Sequence, residues 1–345
     1  MNFHKNVPTS ISELEEAISR PTEMVIKMMA ELHGDILILG AGGKMGPSLS
    51  VMAHRASDAA GTKRRVIAAS RFSNANVRDY LQRNGVETVS CELLAPGAMA
   101  QLPDAENLVF MAGMKFGATD NPAMIWAINA GLPALVCNRF RESRIAVFST
   151  GNIYGLSPVS KGGSKESDMP RPEGEYAMSA LGRERVFEYY SHALGMKQSV
   201  IRLNYACDLR YGVLVDIAHR VLTDIPIPLA TGHLNTIWQG DANAMALSSL
   251  LHASSPPLLL NVTGTRTLRV RDVATYFGQY FGKTPIFIGD EAPDALLSNS
   301  KNAVRLFGPP QINEDKLLEW VALWLKSNGT LLNKPTHFES RNGQF

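Results

Sequence analysis

The sequence predicts an α/β protein built on a doubly wound parallel sheet, and three observations carry that prediction. Short apolar runs, mostly β-branched, recur along the chain. Helical periodicities separate several of them, and the first run leads straight into a glycine-rich turn. The runs are "DILILG", "RVIAAS", "VETVS", "NLVFMA", "RIAVFS", "SVIRLN" and "LLLNVT", spread between Asp35 and Thr263. Strands apolar at successive positions suit a sheet covered on both faces, which is the ordinary state of a parallel sheet. The clearest intervening helical patterns are Pro122–Asn138 and Tyr176–Gly195.

Residues 1–33 precede the first strand and read as a helical extension packed on the main body. Ser12 followed by Glu15 fits a capping box, and Ile11, Leu14 and Ile18 share one face. Pro21 interrupts the pattern. Met24, Val25, Met28, Met29 and Leu32 then form a second stripe, which reads as core packing or an oligomer contact. Lys63-Arg64-Arg65 reads as a solvated lead-in to the second strand. From Asp208 to Pro228, and again beyond Thr267, the pattern turns irregular, and a smaller substrate-binding lobe is expected there.

Composition narrows the function classes. A chain of 345 residues with 45% hydrophobic and 19% charged residues is that of a globular enzyme and too apolar for disorder. A net charge of +2, with no basic stripe, gives no electrostatic case for nucleic acid. No apolar run approaches the roughly 20 residues of a membrane span. Cys91, Cys137 and Cys207 lie far apart, without metal-binding spacing, and an odd number of thiols suits a reducing compartment. A soluble cytoplasmic protein without a metal site is the expectation.

The first strand runs into "GAGGKMG", which places Gly40, Gly43 and Gly46 in a G-x-x-G-x-x-G turn before a helix. Glycines let the backbone approach a pyrophosphate closely, and the helix N-terminus offers it unpaired N–H groups. Gly40, Gly42, Gly43, Lys44, Met45 and Gly46 are therefore candidate dinucleotide-binding residues in a Rossmann-type domain. The second strand ends in Ser70-Arg71, where an NAD-binding chain usually carries an acidic residue for the ribose hydroxyls. Serine leaves room for a 2′-phosphate and arginine can pair with it, which favours NADP over NAD. The expected division is 34–205 with 236–264 for the dinucleotide-binding domain, and 206–235 with 265–345 for the substrate lobe.

Four features together resemble the extended short-chain dehydrogenase/reductase superfamily, its NAD(P)-dependent epimerase/dehydratase group. They are the glycine turn, "MAGMKFG" after the fourth strand, "STGNIYG" after the fifth, and Tyr176 opening the next helix. The resemblance runs from about Gly34 to Gly308 and implies that Met111, Ala112 and Gly113 pass beside the cofactor. It also implies that Asn129 braces the sheet near the site and that Glu92-Leu93 lies beside the adenine. Thr150 takes the place of the superfamily's catalytic serine or threonine, and Tyr176 that of its acid–base tyrosine. Asn204 falls near the substrate or cofactor, and Trp238, a candidate substrate contact, and Asp241 either line the substrate lobe or pack it. Arg202, Arg210, Arg266 and Arg269 are open candidates for a substrate phosphate or carboxylate. A homodimer is the usual assembly in such families.

The departure lies in "YAMSA". Four residues after the tyrosine the superfamily has a lysine that lowers the phenol pKa and binds the nicotinamide ribose; here it is Ala180. Three substitutes present themselves: Lys115 in "AGMKFG", Arg183 seven residues after Tyr176 on the same face, and the charge of an oxidised nicotinamide. The expected function is an NAD(P)-dependent oxidoreductase or epimerase acting on a hydroxyl or keto group of a sugar-like or nucleotide-sugar substrate. The catalytic set would be Thr150, Tyr176 and Lys115. The alternative is an NAD(P)-binding sensor or scaffold that has lost catalysis.

Overall fold

The computed structural model describes residues 7–115, 121–334 and 336–343. All seven apolar runs are strands of one parallel sheet: β1 (Ile36–Leu39), β2 (Val66–Ser70), β3 (Glu87–Ser90), β4 (Asn107–Phe110), β5 (Arg144–Thr150), β6 (Gln198–Leu203) and β7 (Leu258–Val262). Their spatial order is β7-β6-β5-β4-β1-β2-β3. The order reverses between β1 and β4, which opens a crevice at the carboxyl ends of those two strands.

Side-chain alternation divides the sheet's apolar residues between two layers. Ile36, Ile38, Val109 and Ala146 point into one cluster, completed by α2 (Glu23–Glu31), α3 (Gly46–Ala59) and α4 (Ala75–Arg83), whereas α1 (Ile11–Ser19) lies outside it. Leu37, Leu39, Leu108, Phe110 and Val147 point into the opposite cluster. There they meet a helical segment built of α5 (Pro122–Trp126), a π-helical stretch at Ala127–Gly131 and α6 (Leu132–Arg139), followed by α7 (Gly174–Leu194). A third cluster forms the smaller lobe. It contains α8 (Val213–Leu222), α10 (Val270–Phe281) and α12 (Glu314–Lys326), while α9 (Gln239–Ser248) and α11 (Lys301–Phe307) pack back on the sheet.

The N-terminal extension joins these bodies. Val25, Met28 and Met29 of α2 are buried in the sheet's cluster, whereas Leu14 and Ile18 of α1 are buried in that of the lobe. The methionine stripe is thus core packing. The cap of α1 is Ser10, whose hydroxyl accepts the Glu13 N–H at 3.2 Å, while the Glu13 carboxylate accepts from Thr9. The expected Ser12–Glu15 box is displaced by two residues because the helix already begins at Ile11. Arg64 is likewise no solvated lead-in. Its guanidinium donates to the Met29 carbonyl at 2.7 Å and to that of Leu32, holding the C-terminal end of α2, where a cation is favoured.

The helix that carries Tyr176 is pinned by a buried ion pair. Glu184 accepts from the Ser149 hydroxyl of β5 and from Arg202 of β6, with Arg202 Nη2 at 2.8 Å. Both side chains of this ion pair are 4% exposed. Arg202 also donates to the Tyr154 hydroxyl at 2.7 Å, and Tyr154 donates onward to Asn261 of β7 at 2.8 Å. Removing one member of a buried pair strands the other charge, a loss of about 3–5 kcal/mol. Glu184→Leu is expected to lose that amount in urea unfolding, and Glu184→Leu with Arg202→Leu to recover part of it. A single-variant loss below about 1 kcal/mol, the range of exposed pairs, would rule out this pin.

Candidate active site

The crevice holds two adjoining cavities that share Gly40, Gly43, Met111 and Gly113 in their walls. Gly40 directly follows β1 with φ +84°, and a Cβ there would lie 2.5 Å from the Ala112 nitrogen. The turns after β1 and β4 therefore touch backbone to backbone, and only glycine fits at that crossing. Helix α3 opens just beyond, with no side-chain cap on its first turn. The open N–H groups, the glycine floor and the dipole of α3 suit a pyrophosphate, so the residues present fit a dinucleotide. Lys44 is the exception within the turn. It lines the cavity, but its ammonium donates to the Ala206 carbonyl at 3.1 Å and lies 4.1 Å from the centre of the Tyr211 ring.

The smaller cavity, 260 Å³, is lined by Gly42, Ser70, Arg71, Glu92, Leu93 and Ala112 among others, in keeping with an adenosine half-site. Arg71 and Glu92 face each other across its rim at 3.5 Å, both largely exposed. Asn129 lines neither cavity. It sits in the π-helical stretch and forms a floor under the turn after β4: its amide donates to the Met114 carbonyl and accepts the Met114 N–H, each at 3.0 Å. It also donates to the Ser179 hydroxyl of α7 at 2.9 Å.

The larger cavity, 350 Å³, brings Thr150, Tyr176, Lys115 and Asn204 together with Met45, Gly46 and Arg183. Thr150 ends β5 and Tyr176 lies in the first turn of α7, and their hydroxyls are hydrogen-bonded to each other. Burial pushes the Tyr176 phenol above its ordinary value, and the Thr150 hydrogen bond and the Arg183 charge pull the other way. Lys115 Nζ lies 5.8 Å from the centre of the Tyr176 ring, and burial brings its ammonium down to about 8. Asn204 donates to Asn235 at 2.8 Å and to the Leu296 carbonyl at 3.2 Å.

Ala180 is 1% exposed and packs against Ile153 and Tyr154, so the place of the superfamily's lysine is closed by apolar contact. Arg183 runs beneath the turn instead. Its guanidinium donates to the Phe148 carbonyl at 2.7 Å and to Asn129 Oδ1 at 2.6 Å, and a Cβ on Gly113 would lie 2.6 Å from it. Glycine at 113 is what admits this buried cation to the cavity wall.

Trp238 does not belong to the site. It is 3% exposed and packs edge-on against Trp320 with ring centres 5.4 Å apart, far enough into the lobe's core to line neither cavity. Asp241 is also buried packing, and burial raises its carboxyl to about 6 while the Ile312 N–H donates to it at 3.0 Å. Sequence reasoning missed Tyr205, Tyr211, Leu296 and Thr336, which line the larger cavity. The rule that ligands gather beyond the carboxyl ends of strands could have found Tyr205, two residues past β6. Nothing in the sequence marks Thr336.

No family model and no curated protein sequence matches the chain. Solved structures do. A UDP-glucose 4-epimerase from Thermotoga maritima, with UDP-glucose, is similar at a TM-score of 0.70 and 17% identity, over 85% of this chain and 99% of that one. An epimerase from Methanothermobacter thermautotrophicus is similar at 0.70 and 17%, over 90% and 97%. A UDP-glucuronic acid 4-epimerase from Bacillus cereus, with UDP-glucuronic acid and NAD, is similar at 0.69 and 14%, over 85% and 99%. The chain has the fold of these epimerases.

Tyr176 should stay a neutral phenol past the ordinary tyrosine pKa of about 10. Carbon-13 NMR of labelled tyrosine, with Tyr176→Phe to assign the signal, measures this. Thr150→Val removes an interaction that lowers the pKa, so the midpoint should move further up; a downward move would separate the two hydroxyls.

Proposed function

We propose that the protein is a dinucleotide-dependent oxidoreductase or epimerase acting on a hydroxyl or keto group of a sugar-like compound. The observation that carries this reading is the hydrogen-bonded Thr150–Tyr176 pair in a cavity continuous with the glycine turn. The names of the similar structures, all nucleotide-sugar or unspecified epimerases, lend support. A bound nicotinamide supplies hydride transfer at its C4 carbon; the turn after β1, the start of α3 and the loop after β4 would hold it.

The chain's own residues manage the proton. Thr150 would hold the substrate oxygen, and Tyr176, kept protonated by burial, would donate to that oxygen as a carbonyl becomes an alcohol. The phenolate left behind would be stabilised by Arg183 and Lys115. That assignment answers the loss at Ala180: the cations come from the turn after β4 and from one turn further along α7. Ser70 and Arg71 in the adenosine cavity favour NADP on the same reading.

Binding of NADP and NAD to the purified protein, followed by a screen of sugar substrates, tests the proposal. NADP is expected to bind more tightly, and Arg71→Ala to abolish the difference. Lys115 is charged below pH ~8 and neutral above it, so turnover should fall as pH rises through that value. Lys115→Arg should carry the plateau upward, and Lys115→Ala should lose activity at every pH. Cofactor binding without turnover, with Tyr176→Phe indistinguishable from the parent, would favour the sensor reading instead.

We also propose a homodimer in the cytoplasm. Met124 and Trp126 of α5, Leu135 of α6, and Met178 and Tyr189 of α7 are exposed apolar side chains on helices packed together. Three free, buried cysteines are compatible with a reducing compartment. Sedimentation at micromolar concentration should give a dimer, and Trp126→Glu with Tyr189→Arg a monomer. A monomeric parent would remove this assembly.

A further inference from the structure

Beyond α12 the described residues return across the lobe as a strap, and Gly343, the last of them, reaches the start of the tyrosine helix. Leu332 N–H donates to the Arg210 carbonyl at 3.0 Å, and Thr336 N–H to the Asp216 carboxylate at 2.8 Å. Phe338 is 1% exposed in the lobe's core, and Arg341 donates to the Ala230 and Asp294 carbonyls at 2.9 and 3.0 Å. Gly343 then abuts Glu173 and Gly174, where a Cβ on Gly174 would lie 2.3 Å from the Gly343 carbonyl oxygen. Those residues stand directly before Tyr176. Thr336 itself lines the larger cavity.

We infer that this strap is the outer wall of the substrate cavity and restricts it to a small polyhydroxy compound carrying no nucleoside diphosphate. The inference rests on the oxidoreductase reading above and narrows its substrate class. The first support is space. A pocket for one drug-sized ligand has about 300–1,000 Å³, and here 350 Å³ has to serve both a nicotinamide and its substrate.

The second support is charge. A second diphosphate, buried away from the α3 N-terminus that the dinucleotide would occupy, needs guanidinium or ammonium partners, because an unpaired charge is costly to desolvate. The four arginines that sequence analysis left open are committed elsewhere and none lines the cavity: Arg202 to Glu184, Arg210 to Asp208 and Glu15, Arg266 to Asp315, and Arg269 to Glu291. Lys44 faces the Ala206 carbonyl and the Tyr211 ring. Lys115 and Arg183 also line the cavity, but on the Tyr176 side, whereas its lobe side is formed by Tyr205, Tyr211, Val213 and Leu296 among others. Such a surface offers hydroxyls and ring faces to a sugar, and little to a phosphate.

The test uses the full chain saturated with reduced dinucleotide, whose fluorescence reports cofactor binding on its own. Failure of that first step overturns the oxidoreductase reading, independently of the strap. With cofactor bound, calorimetric titration compares D-glucose, D-galactose and D-fructose with UDP-glucose. At least one free hexose is expected to bind and UDP-glucose is not. A chain ending at Leu332 should gain at least about tenfold in UDP-glucose affinity. Thr336→Gly with Arg341→Ala leaves the Phe338 anchor in place; it should move in the same direction and serves if the shortened chain does not fold. UDP-glucose binding to the full chain as tightly as a free hexose would overturn the inference. So would an unchanged UDP-glucose affinity after the strap is loosened, or no binding by any free hexose.

Discussion

Two neighbouring charges on α7, Arg183 and Glu184, hold the candidate active site in register. Both are buried, and both reach the last residues of β5: Arg183 through the Phe148 carbonyl, Glu184 through the Ser149 hydroxyl. The next residue of that strand is Thr150. A helix that slid by one residue would break every one of these bonds, so the pairing of Tyr176 with Thr150 follows from contacts two turns away. Burying so much charge is tolerable only because each group is matched, Arg183 by carbonyl oxygens and Glu184 by a guanidinium and a hydroxyl. The same guanidinium that fixes the helix also lies within electrostatic reach of the phenol. Scaffold and chemistry share one side chain.

The sheet was legible in the sequence because its strands are buried on both faces, which leaves continuous apolar runs that few other elements produce. The glycine turn was legible for a related reason: backbone contact between the turns after β1 and β4 excludes any side chain at Gly40, and that exclusion appears directly in the residue type. Thr150 and Tyr176 were expected together only through the resemblance of "STGNIYG" and of the opening of the next helix to superfamily motifs, and the fold brings them into one cavity. What escaped was tertiary. Trp238 reads the same whether it faces a ligand or Trp320, and Arg64 reads as solvated until α2 is seen to end beside it. The cap of α1 was misplaced by two residues because serine and glutamate recur there at the same spacing, in Ser10–Glu13 as in the expected pair.

Ala180 illustrates a different limit. From sequence it marks a missing lysine, and the question it raises is which cation compensates. The structure adds that the site around it is closed by Ile153 and Tyr154, and that Tyr154 belongs to the Arg202–Asn261 hydrogen-bond chain. The alanine is therefore part of a packed layer between the tyrosine helix and the turn after β5. The Arg183 charge bears on the phenol, and Gly113 leaves the gap for it, while Lys115 of the turn after β4 lies 5.8 Å from the ring centre. Both cations could be named from the sequence, Arg183 by its spacing on α7 and Lys115 by its place after β4, but not the Asn129 contacts from the π-helical stretch that hold Arg183 and the backbone of Met114.

The first and last described segments tie the lobe to the sheet. Helix α1 is anchored in one apolar cluster and α2 in the other, while the last described residues run from the lobe to the start of α7. A hinge movement that widened the crevice would have to draw α1 or α2 out of its cluster, exposing apolar surface at about 25 cal/mol per Å². It would also have to lift Gly343 from Gly174. The molecule is thus braced on two sides, as a frame is by tie-rods, and its mechanics favour small loop displacements over the opening of one lobe against the other.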